Sequence, residues 1–385
     1  MRVMIWGGDG YLGWPTAMHL ARAGHEVVAV DSYLKRNLAR DADAGPLLDP
    51  PLLPERAALF AARHAVEIAV EIVDLRAPEA VHELVRRHRP DAVVHYAEQP
   101  SAPYSMRGEE EARLTLHNNL GVTFNLVQAV LRHAPDCALV KLGTMGEYGT
   151  PNIAIEEGWL TVTHEGRSET FLYPRQASSL YHTTKILDTD LLWFYVRSAG
   201  LRVTDLMQGP VYGFDAGVSD DARLLTAFHY DELFGTVLNR FLVQALAGHP
   251  LTVYGRGEQR RGYLDLRDTL ACVSLALAHP PPRGEMRIYN QFTEIFSVNE
   301  LAARVISAAR TLRMEATVAH EPNPRFEAEE HFYEVRHRAL LELGLQPHIL
   351  TEEVLVGMLE RLRPHAARVR PELFRPRVRW GRPRS

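Results

Sequence analysis

A tyrosine and a lysine four residues apart are the most chemically informative pair in this chain. Tyr181 and Lys185 lie in a segment that reads as helix, so one helical turn places the phenol and the amine on the same face. The chain has only three lysines, and arginine fills nearly every other basic position. A lysine here therefore indicates an ammonium whose pKa and hydrogen bonds matter for chemistry.

A tyrosine acts as a general base only if its pKa falls by about 3 units, which corresponds to about 4 kcal/mol. The Lys185 ammonium and a positive nicotinamide ring would both favour the phenolate. Thr144, at the end of the strand before this helix, could hydrogen-bond the same substrate hydroxyl. We therefore predict that Thr144, Tyr181 and Lys185 remove a proton from a sugar hydroxyl while its carbon gives hydride to NAD.

Two more residues flank this set and are candidates for a second acid–base step. We expect Glu147 to be exposed in a cleft, because it follows directly after a strand end. His182 stands beside the tyrosine. Packing or cofactor binding is an equally good interpretation of this histidine.

The segment Gly7–Gly13 (GGDGYLG) lies directly between an apolar strand and a helix and contains G-x-x-G-x-x-G. Glycines at Gly7, Gly10 and Gly13 permit a tight turn and let the backbone approach a pyrophosphate, which then meets the helix N-terminus. Asp9 and Tyr11 belong to the same loop. This context predicts a dinucleotide site.

The next strand ends in Asp31, about where a ribose-binding acid belongs in such a site. Its carboxylate would accept hydrogen bonds from the adenosine ribose and repel a 2′-phosphate, which predicts NAD over NADP. Lys35 and Arg36 could instead attract that phosphate. Asp74 and Leu75, after the third strand, are placed to contact the adenine.

Strand and helix signals alternate through the first half, which predicts an α/β fold with a parallel, doubly wound sheet of the Rossmann type. In this interpretation the strand at Arg202–Leu206 closes the series. After Gln208 the pattern loosens into short elements and polar, glycine-containing loops. We expect a dinucleotide-binding domain at 1–207 and mainly a substrate-binding lobe at 208–385, with returns of the chain to the first domain.

Bulk properties argue against several partners. The 385 residues carry a net charge of −5, which gives no reason to expect nucleic acid or an anionic membrane as partner. No apolar run approaches the roughly 20 residues of a membrane span. Cys137 and Cys272 lie in apolar segments and should be buried free thiols. With a first strand at Arg2, we expect no signal peptide and a soluble, cytoplasmic protein.

Two charged segments have ordinary explanations. The basic run from Arg361 to Arg384 is interpreted as a solvated tail or a subunit contact rather than a phosphate site. An acidic cluster near position 330 lacks metal-binding spacing, and we expect a solvated helix face and no metal. The members of this cluster are Glu327, Glu329, Glu330, His331, Glu334 and His337.

These motifs resemble the extended short-chain dehydrogenase/reductases of the NAD-dependent epimerase/dehydratase family, and within it the UDP-sulfoquinovose synthases. The resemblance covers nearly the whole chain. The segments that carry it are Gly7–Trp14 (GGDGYLGW), Glu98–Met106 (EQPSAPYSM), Lys141–Asn152 (KLGTMGEYGTPN), Tyr173–Lys185 (YPRQASSLYHTTK), His249–Asp268 (HPLTVYGRGEQRRGYLDLRD), Asn290–Glu300 (NQFTEIFSVNE) and Pro322–His331 (PNPRFEAEEH).

The resemblance implies a reaction and a set of ligand contacts. Such enzymes use tightly held NAD to oxidise C4 of UDP-glucose, eliminate water across C5–C6, add sulfite at C6 and reduce C4 again. Arg261 and Arg325 would hold the pyrophosphate, and Thr252 and Tyr254 would lie near the base. Further residues implied at the substrate are Gln99, Tyr104, Asn239 and Gln259, and further residues implied at the cofactor are Asn119 and Gln208. A homodimer through the helices at Leu114–His133 and Ser179–Ser198 is also implied.

Departures from related patterns leave the reaction open. Sugar-nucleotide dehydratases read Thr-Asp-Glu where this chain reads Thr144-Met145-Gly146-Glu147, which disfavours an ordinary dehydratase. The sulfoquinovose family has arginine where Pro100 stands, and Gly121-Val122 replaces its usual Ile-Gly. A nucleotide-sugar epimerase, on a UDP- or GDP-linked sugar, is therefore the alternative to sulfite addition. A non-catalytic sensor is disfavoured because Tyr181 and Lys185 are both present.

Overall fold

The computed structural model describes residues 1–219, 221–325 and 332–380. Strands and helices alternate through the first half of the chain. The strands are β1 Arg2–Trp6, β2 Glu26–Asp31, β3 Ile68–Ile72, β4 Ala92–His95, β5 Ala138–Thr144, β6 Trp159–His164, β7 Arg167–Leu172, β8 Arg202–Gln208, β9 Val211–Tyr212, β10 Leu251–Tyr254, β11 Arg260–Asp265, β12 Met286–Gln291, β13 Glu294–Ser297 and β14 Val318–Glu321. The helices are α1 Gly13–Arg22, α2 Leu34–Asp41, α3 Leu53–His64, α4 Pro78–His88, α5 Ala102–Ser105, α6 Glu109–His133, α7 Leu180–Ala199, α8 Val237–Leu246, α9 Leu266–Ala278, α10 Val298–Thr311, α11 Ala339–Glu342 and α12 Glu352–Leu362.

Seven parallel strands form the main sheet in the order β12-β8-β5-β4-β1-β2-β3. Alternate residues of one strand enter different cores, because successive side chains point to opposite faces. Met4 and Trp6 pack with α4, α6 and α7, whereas Val3 and Ile5 pack with α1, α3 and α9. Helices thus cover both faces, and the doubly wound α/β prediction is confirmed.

One sequence expectation about this sheet was wrong, and one hairpin outside it was not anticipated. Strand β8 does not close the series, since β12 (Met286–Gln291) pairs with it in parallel as a seventh strand. The β6–β7 hairpin (Trp159–Leu172) was not anticipated between β5 and α7. Both lie where the alternation is interrupted, so local patterning gave no sign of their place in the fold.

The remaining short strands and helices build a lobe over the carboxyl ends of the main strands. Strands β9, β11 and β13 form one small sheet and β10 pairs with β14. Helices α8, α10 and α12 surround a separate hydrophobic core. The chain returns to the main sheet through α9 and β12. Within the described ranges, the helices are all too short or too polar to cross a bilayer.

Candidate active site

A cleft of about 920 Å³ runs along the carboxyl ends of the main strands and under the smaller lobe. Most of the residues singled out in the sequence line it. These are Gly7, Asp9, Gly10, Tyr11, Gly13, Asp31, Arg36, Asp74, Leu75, Thr144, Tyr181, His182, Gln208, Asn239, Tyr254, Gln259, Arg261 and Arg325.

The glycine loop has the shape that a pyrophosphate needs. Gly7 has φ +87°, and its N–H donates to the carbonyl of Val30 at 2.8 Å. A Cβ on Gly13 would lie 1.9 Å from the Gly7 carbonyl oxygen, so no larger residue fits at the start of α1. The first turn of α1 can therefore present free N–H groups to an anion at short range. These observations fit a bound dinucleotide.

The acids and bases beside this loop favour an unphosphorylated ribose. Asp31 accepts hydrogen bonds from the N–H groups of Asp9 (2.8 Å) and Tyr33 (2.6 Å), and burial raises its pKa to about 6. Arg36 donates through Nε and Nη2 to the two Asp9 carboxylate oxygens, at 2.9 Å each, and through Nη1 to Asp49. Its guanidinium is thus already paired. That removes one reason to expect NADP.

The adenine end is lined by Asp74 and Leu75. Asp74 forms an ion pair with Arg76 at 2.7 Å, whereas Leu75 is buried. Lys35 also lines the cleft, and burial lowers its pKa to about 8. At the far end of this region the Gln208 side-chain oxygen is buried and accepts no hydrogen bond from the described residues.

Thr144 and Tyr181 both line the cleft. Thr144 ends β5, and Tyr181 lies in the first turn of α7, where the Ser179 hydroxyl caps the helix by accepting from the His182 N–H at 3.2 Å. The backbone N–H of Tyr181 donates to the Ser105 hydroxyl at 3.0 Å. Burial raises the pKa of Tyr181, and the Glu98 carboxylate adds to the effect. The phenol is therefore held in its neutral form at pH 7.

Lys185 does not line the cleft. Its ammonium, with a side chain only 2% exposed, donates to the Glu98 carboxylate at 2.5 Å. The pKa of Lys185 is raised although burial opposes the charge, because Glu98 and Asp188 stabilise the ammonium. The lysine is therefore charged, one helical turn after the tyrosine on α7, and it is paired with an acid that the sequence did not identify as a site residue.

Glu147 is placed differently from the expectation, which was wrong about its exposure. Its side chain is fully buried and forms a capping box with Thr144, whose N–H donates to Glu147 Oε1 at 3.2 Å. The Lys141 ammonium donates to the same oxygen at 3.2 Å. The chain enters a 3₁₀ turn directly after β5, so the acid folds back under the strand end. Glu147 thus positions Thr144 from behind.

His182 faces the cleft as a neutral imidazole. Burial lowers its pKa to about 3, and nearby Arg261 and Arg325 act in the same direction. Its Nδ1 lies 3.0 Å from the Ser179 hydroxyl oxygen. A Cβ on Gly146 would lie 2.3 Å from His182 Nε2, so the ring packs closely on the turn after β5. This position suits either packing or proton transfer.

Basic and aromatic residues of the smaller lobe surround the other end of the cleft. Burial lowers the pKa of Arg261 and of Arg325, and an anionic ligand would offset that cost. Arg240 stacks over the Tyr254 ring at 4.6 Å, and Arg325 over Trp380 at 5.7 Å. Side-chain oxygens of Asn239, Tyr254 and Gln259 are buried and unpaired within the described residues.

Four residues implied at the ligands lie behind the cleft wall instead. Asn119 accepts from the Gln99 N–H at 2.8 Å and donates to Thr184 at 3.0 Å. Thr252 accepts from Gln244 at 2.7 Å, and Tyr104 packs beside Phe234. The polar groups of Asn119, Gln99 and Thr252 already form hydrogen bonds with other residues of this chain. These residues support the wall of the cleft, and their direct contact with a ligand stays a prediction.

Sequence reasoning missed Arg240 and Trp380. Trp380 lines the cleft, and its indole N–H donates to the Ser178 carbonyl at 3.1 Å. The described part of the basic C-terminal run is thus docked on the protein rather than solvated, and Arg370 pairs with Asp43 at 2.5 Å. In the acidic cluster, Glu327, Glu329, Glu330 and His331 lie outside the described residues, as do Arg382 and Arg384 of the tail.

Fold and cleft together define a Rossmann-type dinucleotide-binding protein whose Tyr181 and Thr144 line the cleft. Residues 3–290 match the model of the NAD dependent epimerase/dehydratase family, and the chain belongs to that family. It is therefore an NAD-dependent enzyme, as the glycine loop and Asp31 predicted.

Its relatives agree with the resemblance seen in the motifs. The chain is 45% identical over 380 residues to the chloroplastic UDP-sulfoquinovose synthase of Spinacia oleracea, covering 98% of this chain and 79% of that one. It is 39% identical over 386 residues to the UDP-sulfoquinovose synthase of Sulfolobus acidocaldarius, covering 100% and 98%. Among solved structures, UDP-glucose 4-epimerase from Bifidobacterium longum, in complex with NAD⁺ and UDP, shares the fold. Its TM-score is 0.72 at 18% identity, covering 95% of this chain and 100% of that one.

Proposed function

We propose that this enzyme modifies a nucleotide sugar through a transient 4-keto intermediate, as a UDP-sulfoquinovose synthase does. One observation carries the proposal: Thr144 and Tyr181 line the same cleft as the glycine loop and a cluster of arginines. A dinucleotide at one end and a sugar nucleotide at the other would meet at these two hydroxyl groups. Residues 1–207 would hold mainly the first ligand and 208–385 mainly the second.

The arginine end suits a nucleoside diphosphate. Arg261 and Arg325 offer planar donors to the pyrophosphate, and Arg240 adds a third positive charge. The unpaired oxygens of Tyr254, Gln259 and Asn239 would hydrogen-bond a base or ribose. Uridine is favoured by the two relatives at 45% and 39% identity, and guanosine is the alternative.

The residues divide the chemistry between them. The glycine loop and Asp31 would hold NAD, which when bound would supply the hydride acceptor for C4 and the hydride for the final reduction. Tyr181 takes the C4 hydroxyl proton, Thr144 hydrogen-bonds the same oxygen, and the Lys185 charge lowers the cost of the phenolate. The resulting ketone acidifies C5–H, and neutral His182 stands beside the turn after β5 where a proton could be taken up or released. Loss of water across C5–C6 would then let sulfite add at C6.

A second candidate follows from Pro100, which lines the cleft where the sulfoquinovose family has arginine. Proline has no donor to hold a sulfite anion. The same oxidation at C4 would then support epimerisation of a UDP- or GDP-linked sugar without sulfite.

Two incubations separate these functions. The purified enzyme is given UDP-glucose with and without sulfite, and the products are analysed by mass spectrometry and NMR. A sulfite-dependent sulfonated sugar nucleotide supports the first function. A changed ring configuration, or solvent deuterium at C5 without sulfite, supports the second. Failure of the wild-type protein to bind NAD or to transform any sugar nucleotide would refute both.

We also propose a cytoplasmic homodimer. Helices α6 and α7 pack side by side and expose Phe124, Leu187 and Phe194, whose side chains would be covered by a second copy. Buried free thiols at Cys137 and Cys272 suit a reducing compartment. Light scattering should give twice the chain mass, and Phe194→Glu should lower it. A monomeric wild-type protein would contradict the dimer, and cell fractionation tests the location.

A further inference from the structure

Asp9 is an acidic residue in the loop that is expected to bind an anion. It lies between Gly8 and Gly10, it lines the cleft, and its side chain is only 9% exposed. A carboxylate held away from bulk water repels a nearby pyrophosphate unless another charge neutralises it. The glycine loop therefore needs a counter-ion for Asp9 before it can bind a dinucleotide.

Two guanidinium groups reach this carboxylate from neighbouring helices. Arg36 on α2 donates to both oxygens, and it also pairs with the half-exposed Asp49 at 2.9 Å. Arg56 on α3 donates through Nη2 to Asp9 Oδ1 at 2.5 Å. Within the described ranges, Asp9 is the only acid with which Arg56 forms an ion pair. Arg36 is thus shared between two acids, whereas Arg56 serves Asp9 alone.

Arg56 is fully buried, which is rare for an arginine. Its guanidinium lies over the ring of Trp14, in the first turn of α1, at 4.8 Å from the ring centroid. Its Nε and Nη1 atoms are buried and have no hydrogen-bond acceptor in the part of the chain that the structure describes. Burial lowers the pKa of Arg56, and the Asp9 carboxylate acts against that effect. A buried ion pair of this kind is weak evidence for stability, because well-packed apolar residues often serve as well.

The other charged groups beside the loop do not replace Arg56. Asp31 on β2 accepts the Asp9 N–H at 2.8 Å and adds a second acid. Lys35 on α2 lines the cleft, but burial lowers its pKa to about 8. We propose that Arg56 is a positioning residue for the dinucleotide, because it neutralises and fixes Asp9 so that the glycine loop can accept a pyrophosphate.

This inference rests on the dinucleotide site of the proposed function, but not on which sugar the enzyme converts. Calorimetry with nucleotide-free protein measures the affinities of NAD, ADP-ribose and adenosine. ADP-ribose keeps the pyrophosphate without the nicotinamide, and adenosine lacks the pyrophosphate. The variants are Arg56→Met, Asp9→Asn and the combination of both. The matched control is Arg63→Met, on the same helix, since Arg63 is half-exposed and its partner Asp221 does not line the cleft.

We expect Arg56→Met to bind NAD and ADP-ribose about tenfold to a hundredfold more weakly, the range for a buried charge near an anion that has lost its counter-ion. Adenosine carries no charge and should lose little affinity. Adding Asp9→Asn to Arg56→Met should restore most of the affinity for ADP-ribose, since no carboxylate is left to neutralise. Arg63→Met should bind all three probes like wild type.

A role in packing alone predicts a different pattern. Arg56→Met would then weaken adenosine binding as much as ADP-ribose binding, or Asp9→Asn would fail to restore the affinity, and either result would overturn the inference. If Arg56→Met does not fold, Asp9→Asn alone decides: it should bind ADP-ribose at least as tightly as wild type, and weaker binding would overturn the inference. Wild type that binds no NAD would instead refute the proposed function.

Discussion

Replacing Lys141 by methionine should destabilise the protein strongly, because this lysine neutralises acids beneath the site. Its side chain is 1% exposed, and its ammonium lies 3.2 Å from Glu147 Oε1 and 3.1 Å from Asp205 Oδ2. It also donates to the Thr189 hydroxyl at 2.6 Å. Methionine fills a similar volume but leaves Asp205 without its ion-pair partner and Glu147 with only the more distant Arg175 guanidinium, at 3.9 Å. Breaking a buried pair in this way costs about 3–5 kcal/mol.

The loss of stability caused by Lys141→Met should increase as the pH rises. Burial already raises the pKa of Glu147 in the folded protein, and removal of the ammonium raises it further. The folded state then binds more protons than the unfolded state at pH values above the ordinary glutamate pKa of about 4.3, so stability falls as pH rises. We expect Lys141→Met to be least destabilising near pH 5 and most destabilising near pH 8.

Urea denaturation of wild type and variant at several pH values measures this effect. The surface variant Arg86→Met serves as control, since its partner Glu83 is exposed, and it should change little at any pH. A loss for Lys141→Met below about 1 kcal/mol at pH 8, or one independent of pH, would refute the reasoning that this lysine is the counter-ion of the buried acids.

Two further variants test other parts of the cleft. Gly13→Ala should weaken NAD binding by about a hundredfold or more, since the new Cβ would lie 1.9 Å from the Gly7 carbonyl oxygen and displace the loop. Calorimetry measures the NAD affinity. The control Gly357→Ala, at a position with open space around the added Cβ, should bind NAD normally. Trp380→Ala should raise the KM for the sugar nucleotide by up to about tenfold with little change in kcat, because Arg325 loses the aromatic ring on which it stacks. The control Trp380→Phe keeps an aromatic ring and should keep most of the affinity. Normal NAD binding by Gly13→Ala, or a fall in kcat alone for Trp380→Ala, would contradict these roles.

Local patterns in the sequence predicted several of the residues that line the cleft. The strand–glycine–helix segment and the Tyr181–Lys185 spacing depend on short stretches of chain, and the structure places Gly7, Gly13 and Tyr181 on one cleft. What could not be predicted depends on residues far apart in sequence. The partner of Lys185 is Glu98, 87 residues away, and Trp380 reaches Ser178 across 202 residues.

Glu147 shows the same limit in another way. Its position after a strand indicated a residue facing the cleft, and the acid indeed follows the strand directly. The 3₁₀ turn and the buried Lys141 decide its direction, and a lysine inside an apolar strand gives no sign of which acid it will meet. The sequence thus located the acid near the site but could not give the orientation of its side chain.

The most direct test of the central claim follows absorbance at 340 nm when UDP-glucose is added to the NAD-loaded protein, with Tyr181→Phe measured alongside wild type. The account predicts a rapid rise in reduced cofactor for wild type. For Tyr181→Phe it predicts retained NAD and a rate lower by about a hundredfold to ten-thousandfold, because the C4 hydroxyl loses its base. A Tyr181→Phe protein that oxidises the sugar at the wild-type rate would contradict it.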